Sequence, residues 1–377
     1  HRPATAGTAA PEATFGPLAG EDWHPVWHGP RPEHDMTLRL PLAACVLSAA
    51  VLGLSACASS PDVRPPPEPV AVTSELLPWA AMEANAMGAM VQSHVAHEFL
   101  RAVERLPAGE ARTLHRDAVG GWHTEAQAAA LDDDERAALE PVEFDAQRYY
   151  TTKYGTPLAY GRTLELLAEH GLEGLAHKRV LDFGYGTVGH LRLMALCGAD
   201  AVGVDVDPFL VALYSEPGDT GPLEGGSVQL VNGYWPTDEP TRAEVGAGFD
   251  VFTSKNTLKR GYIHPAREVD ARYLVHLGVD DATYLSHLHG SLAPGALVIL
   301  YNLCPPQNPD DQPYIPWADG RSPFERDEWE AGGFEVLAFD VVDDGPARDM
   351  ARALGWDQQG MDPDTSLFAW YTIARRR

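Results

Sequence analysis

The sequence predicts a three-layer α/β sandwich around a Rossmann-like, mostly parallel sheet of about seven strands, preceded by a helical subdomain. Two observations carry this. Residues 179–208 read as strand, glycine turn, helix and strand in direct succession. From there on, short apolar runs alternate with helical patterns, the order of a doubly wound sheet.

Val180 and Leu181 make a short apolar strand that runs into Asp182. Gly184, Gly186 and Gly189 follow, and glycine permits both a tight turn and a close approach of backbone to ligand. Leu191, Leu193, Met194 and Leu196 give a helical apolar face, which Gly198 ends. Ala201, Val202 and Val204 form a second buried strand ending at Asp205. A helix N-terminus beside a glycine turn, with an acid at the end of the next strand, is how such folds hold a nucleoside.

Gly184-x-Gly186-x-x-Gly189 fits a dinucleotide fingerprint, which leaves an NAD(P)-dependent oxidoreductase as one reading. Asp182 favours another. A carboxylate just before the turn repels a pyrophosphate and suits a ligand with a cationic end. Asp182-Phe183-Gly184-Tyr185-Gly186 resembles the first motif of the class I S-adenosylmethionine-dependent methyltransferases. The resemblance implies S-adenosylmethionine as cofactor, its methionine portion held by Asp182 and the turn of Phe183, Gly184, Tyr185, Gly186 and Gly189. It implies ribose hydroxyls on Asp205 and adenine against Val206. The third glycine comes one residue later than in many members, which have glycine where Val188 stands. Gly233 and Tyr234 follow the third strand, where many members carry an acid for the adenine amino group; Asp238 is a substitute.

The chain has 377 residues, a net charge of -26 and 45% hydrophobic residues, enough for a large core and about two domains. Such acidity argues against a nucleic-acid partner, which needs a basic footprint. Residues 1–35, rich in Pro, Gly, Ala and His, read as a disordered or spuriously translated leader. Residues 36–57 read as a signal segment: Arg39 in a short head, then an apolar run too short to span a membrane. Leu54-Ser55-Ala56-Cys57 resembles a bacterial lipobox, which implies cleavage before Cys57, lipid on its sulfur and a membrane location. A start downstream, as at Met82, would instead leave the protein in the cytoplasm. Residues 58–73, with Pro65, Pro66, Pro67 and Pro69, form an extended tether. Cys197 and Cys304 read as buried thiols, with no disulfide framework and no zinc spacing.

Residues 74–148 read as the helical subdomain. Ser74 is a cap, and Met82, Met87, Met90, Val91, Val95, Phe99, Val103 and Leu106 approximate a stripe. A second helix is expected over residues 111–119, and a short one after Asp132, Asp133 and Asp134. His94 and His97 read as a solvated helix face, not metal ligands. The methyltransferase domain is placed at residues 149–377. It opens on Tyr149, Tyr150, Tyr154 and Tyr160, an aromatic loop that either packs the helices on the sheet or roofs the site; Tyr154 and Tyr160 are the roof candidates.

Further strands are expected at residues 227–231, 249–254, 296–301, 334–342 and 367–374. The last two, joined through a short helix, match the antiparallel closing pair of the methyltransferase fold, so the resemblance covers roughly residues 150–376. Lys255 and Asn256 end the fourth strand, which in that fold faces the transferred methyl, and are substrate candidates. Residues 302–327 form a long loop with Tyr314, Trp317 and Phe324; such loops are usually lids or binding loops, substrate choice is expected here, and Trp317 is a further substrate candidate. The expected function is methyl transfer to an unidentified small molecule, with no residue assigned as a general base. The alternative, from the export signal, is a lipid-anchored binding protein on a methyltransferase scaffold. Cys57→Ser should release the protein from membranes in detergent-free extraction; equal release of the unmutated protein would remove the anchor.

Overall fold

The structure, a computed structural model, describes residues 76–377. The leader, the signal segment with Cys57, the tether and Ser74 lie outside the described residues. Among the described residues no helix is long and apolar enough to cross a membrane.

The helices Leu76–Gly88 and His94–Arg101 open the described chain. Met87, Val91, Val95, Phe99, Val103 and Leu106 are buried as the stripe requires, but Met82 is exposed. Ser93 caps the second helix through Ala96 N–H. Glu165, on the helix Tyr160–Glu169, accepts from Gln92 N–H, Ser93 N–H and Ser93 Oγ at 2.8, 2.9 and 2.5 Å.

The helical pattern does not continue over residues 111–119. Strands β1 (Arg112–Arg116), β2 (Trp122–Thr124) and β3 (Glu140–Phe144) form an antiparallel sheet in the order β2-β1-β3. The turn after β1 explains this: Asp117 Oδ1 accepts from Val119 and Gly121 N–H, and Gly120 has φ +89°. That geometry reverses the chain where a helix would carry it on. Trp122 and Phe144 pack with Phe209 at centroid distances of 5.1 and 5.3 Å, seating this sheet on the helix Pro208–Leu213. Asp132 and Glu135 form a capping box on the helix Asp133–Ala137, as expected.

The main sheet contains β4 (Arg179–Phe183), β5 (Asp200–Asp205), β6 (Gly221–Leu223), β7 (Gly226–Asn232), β8 (Phe249–Lys255), β9 (Leu292–Cys304), β10 (Phe334–Val342) and β11 (Phe368–Arg376). Its order is β10-β11-β9-β8-β4-β5-β7-β6. The pairs from β7 through β9 are parallel; β11 is antiparallel to β9 and β10. This is the expected doubly wound sheet with its closing pair, plus the three-residue edge strand β6. Neighbouring residues fall in opposite apolar clusters: Val180 and Leu181, Val251 and Phe252, Ile299 and Leu300. Such strands are buried on both faces, as parallel sheets require. The chain moves outward from β4 to β5 and β7, then returns to β8 on the other side of β4. That reversal puts a switch point, where doubly wound folds bind ligands, at the carboxyl ends of β4 and β8.

Arg162 locks the Tyr160–Glu169 helix to the closing pair. It binds Asp343 through Nε at 3.0 Å and Nη2 at 2.7 Å, and Tyr301 donates to the same carboxylate at 3.1 Å. Asp343 is 4% exposed. Arg162→Met leaves that carboxylate without its cation, so urea denaturation should show a loss of about 3 kcal/mol. Adding Asp343→Asn should recover most of it.

Candidate ligand site at the carboxyl ends of the parallel strands

The turn after β4 depends on its first two glycines. Gly184 has φ +77° and Gly186 φ +58°, a region costly for other residues. A Cβ on Gly184 would collide with the Thr257 side chain, and one on Gly186 would lie 2.7 Å from the Tyr154 ring. The helix Gly189–Leu196 follows, its start held by Tyr214 Oη, which accepts from Val188 N–H at 3.2 Å.

Asp205 closes the turn from the end of β5. Its Oδ2 accepts from Gly186 N–H at 3.1 Å; its Oδ1 accepts from Val206 and Asp207 N–H at 2.7 and 3.0 Å. Burial pushes this carboxyl up to about 6, with Asp207 adding to the rise and the backbone amides opposing it. Val206 beside it is 50% exposed, and Tyr234 beyond β7 is 43% exposed. Gly233 N–H donates to Asp205 O at 3.0 Å, which draws the end of β7 to the same spot. Asp238 accepts from Tyr234 N–H at 3.2 Å and serves the chain's own backbone.

Asp207 has a different task. One oxygen caps Phe209 N–H at 3.0 Å; the other takes the Tyr154 hydroxyl at 2.8 Å and the Lys153 ammonium at 2.8 Å. Thr152 Oγ1 reaches Gly186 O at 2.9 Å. The aromatic loop therefore lies directly on the glycine turn.

Asp182 is fully buried. Its Oδ2 meets Tyr160 Oη at 2.9 Å and His190 Nε2 at 2.8 Å, and its Oδ1 accepts from Thr253 Oγ1 at 2.5 Å. The Tyr160 and His190 rings stack 3.7 Å apart, inclined by 2°. His190 and Thr253 had no signal in the sequence beyond their places at a helix start and in a buried strand. Phe183 faces the other apolar cluster, 6.0 Å from Trp235 and from Tyr284, and Tyr185 is buried against Gly203.

The substrate candidates divide. Tyr154 covers the turn, whereas Tyr160 is buried beneath it. Lys255 stands over Tyr160, its ammonium 5.6 Å from the ring centre. Asn256 is tied into the backbone: its Oδ1 accepts from Leu303 N–H at 2.7 Å and its own N–H donates to Asn302 Oδ1 at 3.0 Å. Trp317 packs edge-on against Tyr273 at 5.6 Å. The long loop is no detached lid, because Phe324 is fully buried and Asn302 Nδ2 holds Gly320 O at 2.8 Å. Among the described residues no cluster of His, Cys, Asp and Glu is arranged to hold a metal.

No family model matches the chain, and no curated protein matches it. Solved structures do. The [4+2]-cyclase SpnF is 17% identical over 57% of this chain and 80% of that chain, with a TM-score of 0.36. An S-adenosylmethionine-dependent methyltransferase from Mesorhizobium loti is 16% identical over 58% and 98%, with a TM-score of 0.34. Phosphoethanolamine N-methyltransferase 1 of Haemonchus contortus, solved with phosphoethanolamine and S-adenosylhomocysteine, is 11% identical over 56% and 40%, with a TM-score of 0.34. These likenesses concern the fold alone, and a fold does not fix a reaction.

The residues present fit S-adenosylmethionine unequally. A carboxylate offers about four lone-pair directions, so Asp205 keeps acceptor capacity beyond its three amides. With Val206 and Tyr234 exposed beside it, the adenosine portion fits. The role the motif implies for Asp182 fits less well: its carboxylate also has three donors, but it is fully buried, so a ligand does not reach its remaining acceptor capacity. Asp182→Ala should cost about 3–5 kcal/mol in urea denaturation without any ligand, because three buried polar groups lose their partner. A variant as stable as the unmutated protein would return Asp182 to the ligand.

Proposed function

We propose that this chain binds S-adenosylmethionine across the carboxyl ends of β4, β5 and β7 and transfers its methyl group to a small-molecule acceptor. The observation that carries this reading is Asp205. It ends the second strand of the glycine-turn unit, bonds back to Gly186 and stands beside the exposed Val206. When bound, the cofactor supplies a methyl group on a sulfonium leaving group. The chain's part is to hold and to exclude: Asp205 orients the ribose, Val206 and Tyr234 flank the adenine, and Tyr154 shields the turn from water. Alignment of this kind supplies much of such a rate enhancement.

A second reading has its own support. Tyr154 and Thr257 fill the space over Gly186 and Gly184, which favours a scaffold that binds without catalysing. With lipid on Cys57 it would be an anchored binding protein; that anchor rests on the sequence of residues 36–57. A nicotinamide enzyme is the third possibility, with Asp205 on a ribose and the turn on a pyrophosphate.

Calorimetric titration with S-adenosylmethionine and NAD separates the three. Asp205→Ala should weaken S-adenosylmethionine binding on the order of a hundredfold, the equivalent of about 2–3 kcal/mol of charge-assisted hydrogen bonding. Asp207→Ala should leave affinity nearly unchanged and lower stability by about 1 kcal/mol through its lost cap. The ionised Asp205 is the acceptor and its carboxyl titrates near 6. Affinity should therefore hold above pH 7 and fall as pH drops through 6, about tenfold per unit below it. Equal affinity in the unmutated protein and Asp205→Ala would defeat the assignment. No binding of either nucleotide would favour the scaffold.

A further inference from the structure

The chain has four lysines, and three are partnered. Lys153 pairs with Asp207 at 2.8 Å and Lys178 with Asp250 at 3.1 Å. Lys259, 3% exposed, donates to Leu303 O at 2.7 Å and Trp317 O at 3.1 Å, with Cys304 Sγ at 3.7 Å. Lys255 differs. Among the described residues its ammonium has no hydrogen bond and no ion pair; its contact is with the face of Tyr160. Its pKa is lowered to about 8, chiefly by burial, with Asp182 opposing the fall and Lys259 adding to it.

Its position gives this meaning. Lys255 ends β8 on the face of the sheet that carries Val251 and Thr253, beside the turn that ends β4. That is the switch point between β4 and β8. The groups around it offer no replacement anion. Asp182 is taken by Tyr160, His190 and Thr253, and the hydroxyl of Tyr301, in register on β9, is spent on Asp343. A desolvated ammonium without a partner is costly, and a carboxylate is the partner that best offsets it.

We propose that Lys255 Nζ receives a carboxylate of the bound ligand. The inference deepens the methyltransferase reading and rests on it for the ligand's place. Two carboxylates qualify: that of the cofactor's methionine portion and one on the acceptor. With Asp182 fully buried, Lys255 is a cation at this end of the sheet that has no anion of its own among the described residues and is placed to hold either.

The test uses the full chain with lysine labelled by nitrogen-15 at Nζ, the Lys255 signal being assigned by its loss in Lys255→Met. The signal is titrated alone, with S-adenosylhomocysteine, with 5′-methylthioadenosine, which lacks the carboxylate, and with acetate. If the cofactor supplies the anion, S-adenosylhomocysteine raises the Lys255 pKa by a unit or more and 5′-methylthioadenosine does not. The unmutated protein then prefers S-adenosylhomocysteine about tenfold, and Lys255→Met loses that preference while keeping its affinity for 5′-methylthioadenosine. If the acceptor supplies it, acetate alone raises the pKa and affinity for S-adenosylhomocysteine is unchanged in the variant. A pKa moved by neither overturns the proposal. The acetate arm reads Lys255 even where no adenosine compound binds, so failure of the methyltransferase reading is told apart from failure of this one.

Discussion

A buried carboxylate with three donors holds the centre of this protein. Asp182 ends the first parallel strand of the main sheet at the point where the strand order reverses. Tyr160 reaches it from the helix Tyr160–Glu169, His190 from the helix after the glycine turn, and Thr253 from β8. Two helices and two strands are thereby fixed to one side chain. A carboxylate taken out of water is tolerable only when its oxygens are engaged, and engagement from three other elements makes the relative placement of all four specific. The turn that follows inherits that rigidity, and with it the positions of Gly186 and Asp205.

The same economy governs the other acids of the region. The protein carries a net charge of -26, yet several inner carboxylates among the described residues are committed to partners. Asp343 takes Arg162 and Tyr301; Asp219 takes Arg112 and Tyr149; Asp207 takes Lys153 and Tyr154. Burial pushes Glu83 up to about 8, so it is neutral at ordinary pH, and it accepts from Thr156 at the end of the aromatic loop. Internal charge is therefore structural almost everywhere, and a group left without such a partner stands out.

The sheet was legible because parallel strands leave long apolar runs and the glycine turn marks where the first one ends. The seven longer strands of the main sheet lie where those runs do. The small antiparallel sheet was not legible. Within β1 Leu114 alone is buried, so the strand shows no period, and the strand identity comes from the turn at Asp117 and from pairing with β3. The site was legible by motif and not by contact. Asp182 was visible, but Tyr160, His190 and Thr253 lie 22, 8 and 71 residues from it. No local pattern shows that they converge on it. Tyr154 lies over the turn as a roof residue would; Tyr160, six residues on, lies under it.

The position of β11 bears on how the chain is made. It follows β10 in sequence but lies between β10 and β9. Until Phe368–Arg376 has been synthesised, β9 presents one unpaired edge along an apolar strand, and β10 has no strand to join. The anchor of Arg162 at Asp343 sits in the same late region. A nascent chain stalled on the ribosome short of residue 368 would hold a nearly complete parallel half beside an open, adhesive edge. Chaperone attention during translation should therefore fall between the completion of β9 and that of β11, not on the segment that carries the glycine turn.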